Sequence, residues 1–163
     1  MVTPILSSNG EVARGGTPAG KRPLNRLATM AQRLARSETF KNYERAFGDA
    51  TGLPLALRPR EAWNLSMAGK SRENRFCRLM AQCNRTCAAC LQIQERIGEQ
   101  STSGPTTVTC FAGLTDTAVP LKAGEEVIGY LQTGQVALKD PSAAQFEKIT
   151  KQLMEWGANL DPQ

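Results

Sequence analysis

Apolar residues recur along the chain with two different periods, and the change of period divides it into elements. Leu27, Met30, Ala31 and Leu34 fall three or four apart, which predicts a helix with one buried stripe. Ser37 is a capping residue type, and Phe40, Tyr43 and Phe47 repeat the helical spacing up to a closing Gly52. Positions 53–57 form a short apolar run with Pro54 near its start, which predicts a first or edge strand. Positions 58–75 are polar and irregular, with Trp63 as the apolar landmark. The helical pattern resumes over 76–81 and 84–97, with Asn84 placed to cap the longer stretch. Residues 101–105 read as a loop. Strands are predicted over 107–110, 117–121 and 127–138, with turns at Gly113 and at Ala123-Gly124-Glu125. Asp140-Pro141 predicts a helix start, Phe146, Ile149, Leu153 and Trp156 its buried face, and Gly157 its end. Helices, a strand, helices, a group of strands and a helix give an α+β fold with a mostly antiparallel sheet.

Length changes this picture little. With 163 residues the chain has room for one ordinary core, expected over 24–160. Residues 1–23 carry Pro4, Gly10, Gly15, Gly16, Pro18, Gly20 and Pro23, which predicts a disordered leader. Composition excludes more. There is no histidine, so Ser-His-Asp and Cys-His nucleophile pairs and HExxH zinc sites are absent. The net charge of +5 is uneven: residues 1–60 hold ten basic and four acidic side chains, and the remainder ten and eleven. The body is therefore not a nucleic-acid surface by charge, and Arg33, Arg36, Lys41 and Arg45 read as solvated helix faces. No apolar run approaches a membrane span, and the N-terminus lacks a secretory h-region. A cytoplasmic location is expected, which keeps the cysteines as thiols.

Those five cysteines carry the strongest chemical signal. Cys77, Cys83, Cys87 and Cys90 follow C-x5-C-x3-C-x2-C, and Cys110 ends a predicted strand. At about 100° per residue, Cys83, Cys87 and Cys90 share one helix face. Zinc or an iron–sulfur cluster held by Cys77, Cys87, Cys90 and Cys110, with Cys83 as a spare, is one reading. Core packing of small apolar thiols is another, and thiol–disulfide sensing a third. The CxxxCxxC of radical SAM enzymes is matched, but only 73 residues follow Cys90, too few for the partial barrel that chemistry uses. Gly15-Gly16-Thr17-Pro18-Ala19-Gly20-Lys21 imitates a phosphate-binding loop but is followed by Arg22, where a hydroxyl must meet magnesium. Gly69-Lys70-Ser71 has Asn64 where the first glycine belongs. A thiol enzyme has no histidine base and no Cys-x-x-Cys at the end of a βα unit.

Several runs occur in one order. They are Phe76-Cys77-Arg78-Leu79-Met80, Cys87-Ala88-Ala89-Cys90 and Thr109-Cys110-Phe111-Ala112-Gly113-Leu114, followed by Ala118-Val119-Pro120-Leu121 and Gly129-Tyr130-Leu131-Gln132-Thr133-Gly134-Gln135-Val136. Together, over about residues 38–157, they resemble the PocR-type sensory domain, and Ala50-Thr51-Gly52-Leu53-Pro54-Leu55 fits the start of its sheet. The resemblance implies a PAS/GAF-like, mostly antiparallel sheet flanked by helices. It implies a non-catalytic sensor of small molecules such as simple hydrocarbon derivatives, in bacterial signal transduction or transcriptional regulation. Family members are coupled to AraC-type helix-turn-helix regions, histidine kinases or cyclic-nucleotide enzymes, and the sequence looks like the AraC-coupled kind. No helix-turn-helix pattern follows residue 157, so direct nucleic-acid binding by this chain is not expected. The expected partners are a small ligand, a signalling output domain or protein, and a second copy paired through the end helices. The candidate ligand-binding residues are Trp63, Phe76, Cys110, Gly113, Leu114, Gly134 and Gln135. Gly113 and Gly134 would let the backbone turn or approach a ligand, Gln135 offers both donor and acceptor, and Trp63 would close the pocket as an apolar wall.

Overall fold

The computed structural model describes residues 21–158, with side chains from Arg26 onward. The expected leader lies outside these residues except for positions 21–23, which form the first turn of helix α1 (Lys21–Arg36). Pro23 is compatible with that turn, because the first N–H groups of a helix have no intrahelical partner to lose. Ala31 is fully buried, whereas Met30 and Leu34 stay largely exposed, so the stripe read from sequence is narrower than expected.

Helix α2 (Glu38–Thr51) begins where its cap requires. Ser37 Oγ accepts from the Phe40 N–H at 3.2 Å, a contact worth about 1 kcal/mol. Gly52 ends the helix in the left-handed region (φ 74°) and donates to the Gly48 carbonyl at 2.8 Å. Two further helices, α3 (Arg75–Met80) and α4 (Asn84–Gln100), follow the 60–74 segment. Asn74 caps α3. At α4 the capping position belongs to Cys83, not Asn84, and no side chain caps it. Instead Thr86 Oγ bonds back to the carbonyls of Met80 and Cys83, tying the α3–α4 corner together.

Four strands, β1 (Leu55–Pro59), β2 (Thr106–Thr109), β3 (Leu114–Ala123) and β4 (Glu126–Ala137), make one antiparallel sheet in the order β1-β4-β3-β2. β1 is an edge strand, as its proline-flanked run predicts. β3 starts three residues earlier than the pattern suggests, because Leu114 and Asp116 pair with Ala137 and Gly134. The register places Arg58 opposite Tyr130, and Gln132 opposite both Ala56 and Ala118. Those residues share one face of the sheet. Helix α4 covers that face: Ile93 and Ile97 join Val108, Ala118 and Tyr130 in one buried cluster. Each such isoleucine contributes about 1.5–3 kcal/mol by burial.

Helix α5 (Ala143–Glu155) is capped by Ser142, whose Oγ accepts from the Gln145 N–H at 3.2 Å; Asp140 and Pro141 precede it. The helix meets the body mainly through its C-terminal half. Leu153 is buried, and Trp156 stands edge-on to Phe111 with ring centroids 5.0 Å apart. Phe146, expected on the buried face, lies in the first turn and is 68% exposed. The α+β class is as expected. No helix among the described residues is long and apolar enough to cross a membrane.

Candidate functional site

A cavity of about 50 Å³ lies between α4, the sheet and the segment that follows β1. Cys77 of α3 and Cys90, Ile93 and Gln94 of α4 form one wall. Leu114 and Asp116 of β3 and Gln135 of β4 form the other, with Cys110 just before β3. Leu65, Met67 and Glu73 complete it from the 60–74 segment. Cys90, Ile93, Gln94 and Ile97 stand three or four apart, so one face of α4 supplies both the core and the cavity wall.

The sheet is deformed where it lines the cavity. A bulge at Thr115/Asp116 sets Gln135 outside the regular pairing, with Asp116 opposite Gly134 and Thr115 opposite Val136. Gly134 adopts φ 146°, and a Cβ there would stand 2.6 Å from Asp116 Cα and 2.5 Å from the Thr115 carbonyl. Gln135 itself is at φ 60°, the left-handed region that non-glycine residues seldom occupy. Three bonds hold it. Its N–H donates to Asp116 Oδ1 at 2.8 Å, its Oε1 accepts from the Asn74 N–H at 2.8 Å, and its carbonyl accepts from Asn74 Nδ2 at 3.0 Å. The cap of α3 is thereby locked to the bulge of β4.

The cavity keeps its thiols protonated. Burial, reinforced by Asp116, Cys110, Cys90 and Glu73, pushes Cys77 up to about 12. Burial, then Cys110, Cys87 and Asp116, pushes Cys90 up to about 11. Burial raises Cys110 as well, against the backbone N–H groups that would favour its thiolate. Asp116 is also raised by burial, and is opposed by the Gln135 N–H and the Gln94 side chain. The site is thus a set of neutral, polarisable groups around a carboxyl poised towards its protonated form. Glu73 is buried in an ion pair with Arg78 (3.1 Å) and also accepts from the Gly69 N–H.

The cysteines divide. No disulfide joins the five. Cys77, Cys90 and Cys110 line the cavity, while Cys87 and Cys83 do not. Cys83 sits at the start of α4 with Sγ 4.0 Å from the Trp156 carbonyl, and hydrogen bonds from Thr86 lower its pKa. The sequence pattern expects Cys83, Cys87 and Cys90 on one helix face, but Cys83 is the extended residue before α4, and of the three only Cys90 lines the cavity. Among the described residues, no three His, Cys, Asp or Glu side chains are arranged to hold a metal ion.

Of the candidate ligand-binding residues, Cys110, Leu114 and Gln135 line the cavity, and Gly134 shapes it through the backbone. Gly113 (φ 77°) turns the chain between Cys110 and Leu114, where a Cβ would collide with the Gln145 side chain of α5. Phe76 is half-buried beside the α3 cap and is not part of the lining. Trp63 is 74% exposed and borders a different hollow, with Arg58 and Tyr130. Asp116, Gln94 and Met67 are among the lining residues the sequence reading missed. Aspartate inside a β-branched strand run and glutamine on the Cys90–Ile97 helix face were the available signals.

The hollow thus lies between the sheet and α4 and is lined by apolar side chains, three thiols and two carboxyl groups, Asp116 and the ion-paired Glu73. A family model described as the sensory domain found in PocR matches residues 33–161. The chain belongs to that family and is a sensory domain. No curated protein and no solved structure matches it.

Proposed function

We propose that this sensory domain binds a small, uncharged or weakly acidic organic molecule in the cavity bordered by Cys77, Cys90, Cys110, Asp116 and Gln135. The observation that carries the reading is the lining itself. Met67, Ile93 and Leu114 supply apolar surface, neutral thiols supply polarisable contact, and Asp116 supplies a hydrogen-bonding carboxyl. A volume of about 50 Å³ suits a short alcohol, diol or acid rather than a nucleotide.

The signal leaves through the turn that follows Cys110. Gly113 of that turn lies against Gln145 of α5, and Phe111 lies against Trp156. A ligand that displaces Cys110 or Leu114 shifts α5, and the shift passes to an output domain or partner in transcriptional regulation or signalling. The role is non-catalytic and cytoplasmic.

The test is the melting temperature of the whole chain against a panel of short alcohols, diols and carboxylic acids. A true ligand at 100 times its Kd stabilises by about 2.7 kcal/mol. The rise should vanish in Cys90→Leu, which fills the cavity. A panel that never moves the melt contradicts the reading. Cys77, Cys90 and Cys110 line one cavity but are not arranged to hold a metal ion, so zinc or an iron–sulfur centre is kept only as an outcome of the test. Metal analysis of protein purified without oxygen decides it: one equivalent of zinc, or iron with matching sulfide, lost on replacing Cys90 by Ser, would put a metal centre in the ligand's place.

A further inference from the structure

On the other side of α4 lies a wider cleft of about 430 Å³, bordered by Arg58, Arg60, Trp63, Glu95, Glu99 and Tyr130. Its floor is unusual. Arg58 is 95% buried by side-chain packing, with 5% of its surface exposed, yet no carboxylate pairs with it among the described residues. Its guanidinium donates to Gln132 Oε1 (3.1 Å), to the Ala62 carbonyl (3.2 Å) and to the Gln94 carbonyl (3.1 Å). The Tyr130 ring lies beneath it, 4.9 Å from its centre. Three of five N–H groups are thus used, leaving one on each terminal nitrogen. All its partners are neutral. A buried cation without a counter-charge is costly, and the arrangement is completed when an anion arrives.

The chemistry of the walls narrows that anion. Arg60 adds a second positive charge at the lip, also outside any ion pair among the described residues. Glu95 and Glu99 line the same cleft and repel a dianion such as phosphate. Trp63, with 74% of its surface exposed, offers a flat apolar wall. We propose that this cleft is a binding site for a small organic monocarboxylate, its carboxylate on Arg58 and its apolar body against Trp63. The site is separate from the cysteine-lined cavity and does not depend on it, although Gln94 borders both.

Trp63 is itself the reporter, since the chain has two tryptophans. In a Trp156→Phe background, Trp63 emission is titrated with benzoate and with 3-methylbutanoate. Phosphate and 3-methylbutylamine, which shares the apolar body but carries the opposite charge, are the controls. The expected result is a saturable change with the carboxylates and none with the controls. Arg58→Lys keeps the charge but loses the fork, and should weaken binding about tenfold. Because Arg58 is buried, Arg60→Gln at the exposed lip is the second variant, expected to weaken binding a few-fold with the fold intact by circular dichroism. No saturable response to either carboxylate overturns the proposal. So does an equal response to the amine or to phosphate, or unchanged affinity in both arginine variants.

Discussion

The two hollows beside α4 share Gln94 and little else. The cysteine cavity is small, and burial keeps its Cys77 and Cys90 thiols neutral, with the ion-paired Glu73 at its border. The arginine cleft is about nine times the volume and carries four charged side chains outside any ion pair among the described residues. One buried polar chain connects them. Arg58 donates to Gln132, Gln132 Nε2 donates to Gln94 Oε1 at 3.0 Å, and the Gln94 side chain bonds Asp116. Donors thus run from the cation towards the carboxyl, which aligns the amide dipoles between them. Ser66 Oγ also donates to Gln94 Oε1, at 3.3 Å.

Two alanine substitutions should separate the hollows most sharply. Gly134→Ala places a Cβ within 2.6 Å of Asp116 Cα and the Thr115 carbonyl, at a φ that alanine resists. A loss of about 3 kcal/mol is expected in urea unfolding. A Cβ added at Gly98, at the cleft, would stand 3.8 Å from the Tyr130 hydroxyl and 3.9 Å from Arg58, in ordinary contact. Gly98→Ala should therefore stabilise α4, by about 0.5–1 kcal/mol from helix propensity. Equal losses in the two variants would show that the bulge is not the tighter element.

Thiol chemistry sharpens the same contrast. Cys83, with its pKa lowered at the start of α4, should be alkylated first at pH 7.5. Cys77, pushed up to about 12, and Cys90, up to about 11, should react on the order of 100-fold more slowly in the folded protein. Residue-resolved mass spectrometry reads the order, and fast labelling of Cys90 would mean the cavity is open and wet.

How much of this the sequence discloses depends on how local the cause is. The Ser37 cap, the Gly52 stop and the edge character of β1 are settled within a few residues, and the spacing shows them. Cys77, Cys90 and Cys110 are recognisable as a group, because helix periodicity and a strand end bring them within reach. The 60–74 segment looks like an irregular connection, and nothing in its pattern shows that Leu65 and Met67 close a cavity against α4. Trp63 reads as a pocket wall on hydrophobicity alone. Its place in the arginine cleft follows from the path of the chain after β1. Asp116 and Gln135 meet only because β3 and β4 pair with a bulge, a register that residue types do not specify.

The pH response is a smaller effect, and its sign follows from Asp116. Burial raises its folded pKa above the usual 3.8, so the folded state holds the proton longer than the unfolded chain. The stability it contributes is full below 3.8 and is lost as pH rises through the raised folded value. Asp116→Asn, which keeps an oxygen to accept the Gln135 N–H, should remove that falling limb from the stability–pH curve. An unchanged curve would mean the carboxyl is already solvated. A modest effect is also expected inside the core. Tyr130→Phe loses the 3.0 Å bond to the Gly98 carbonyl, and should cost about 1 kcal/mol in urea unfolding.

Occupancy of the cysteine cavity is the central claim, and methyl resonances read it directly. Met67 and Ile93 line the cavity, whereas Met30 and Met154 are exposed elsewhere. Titration with the compound from the alcohol, diol and acid panel that raises the melting temperature most should shift Met67 and Ile93 saturably and leave Met30 and Met154 still. Shifts confined to the exposed methyls, or cavity methyls that never move, would contradict the account.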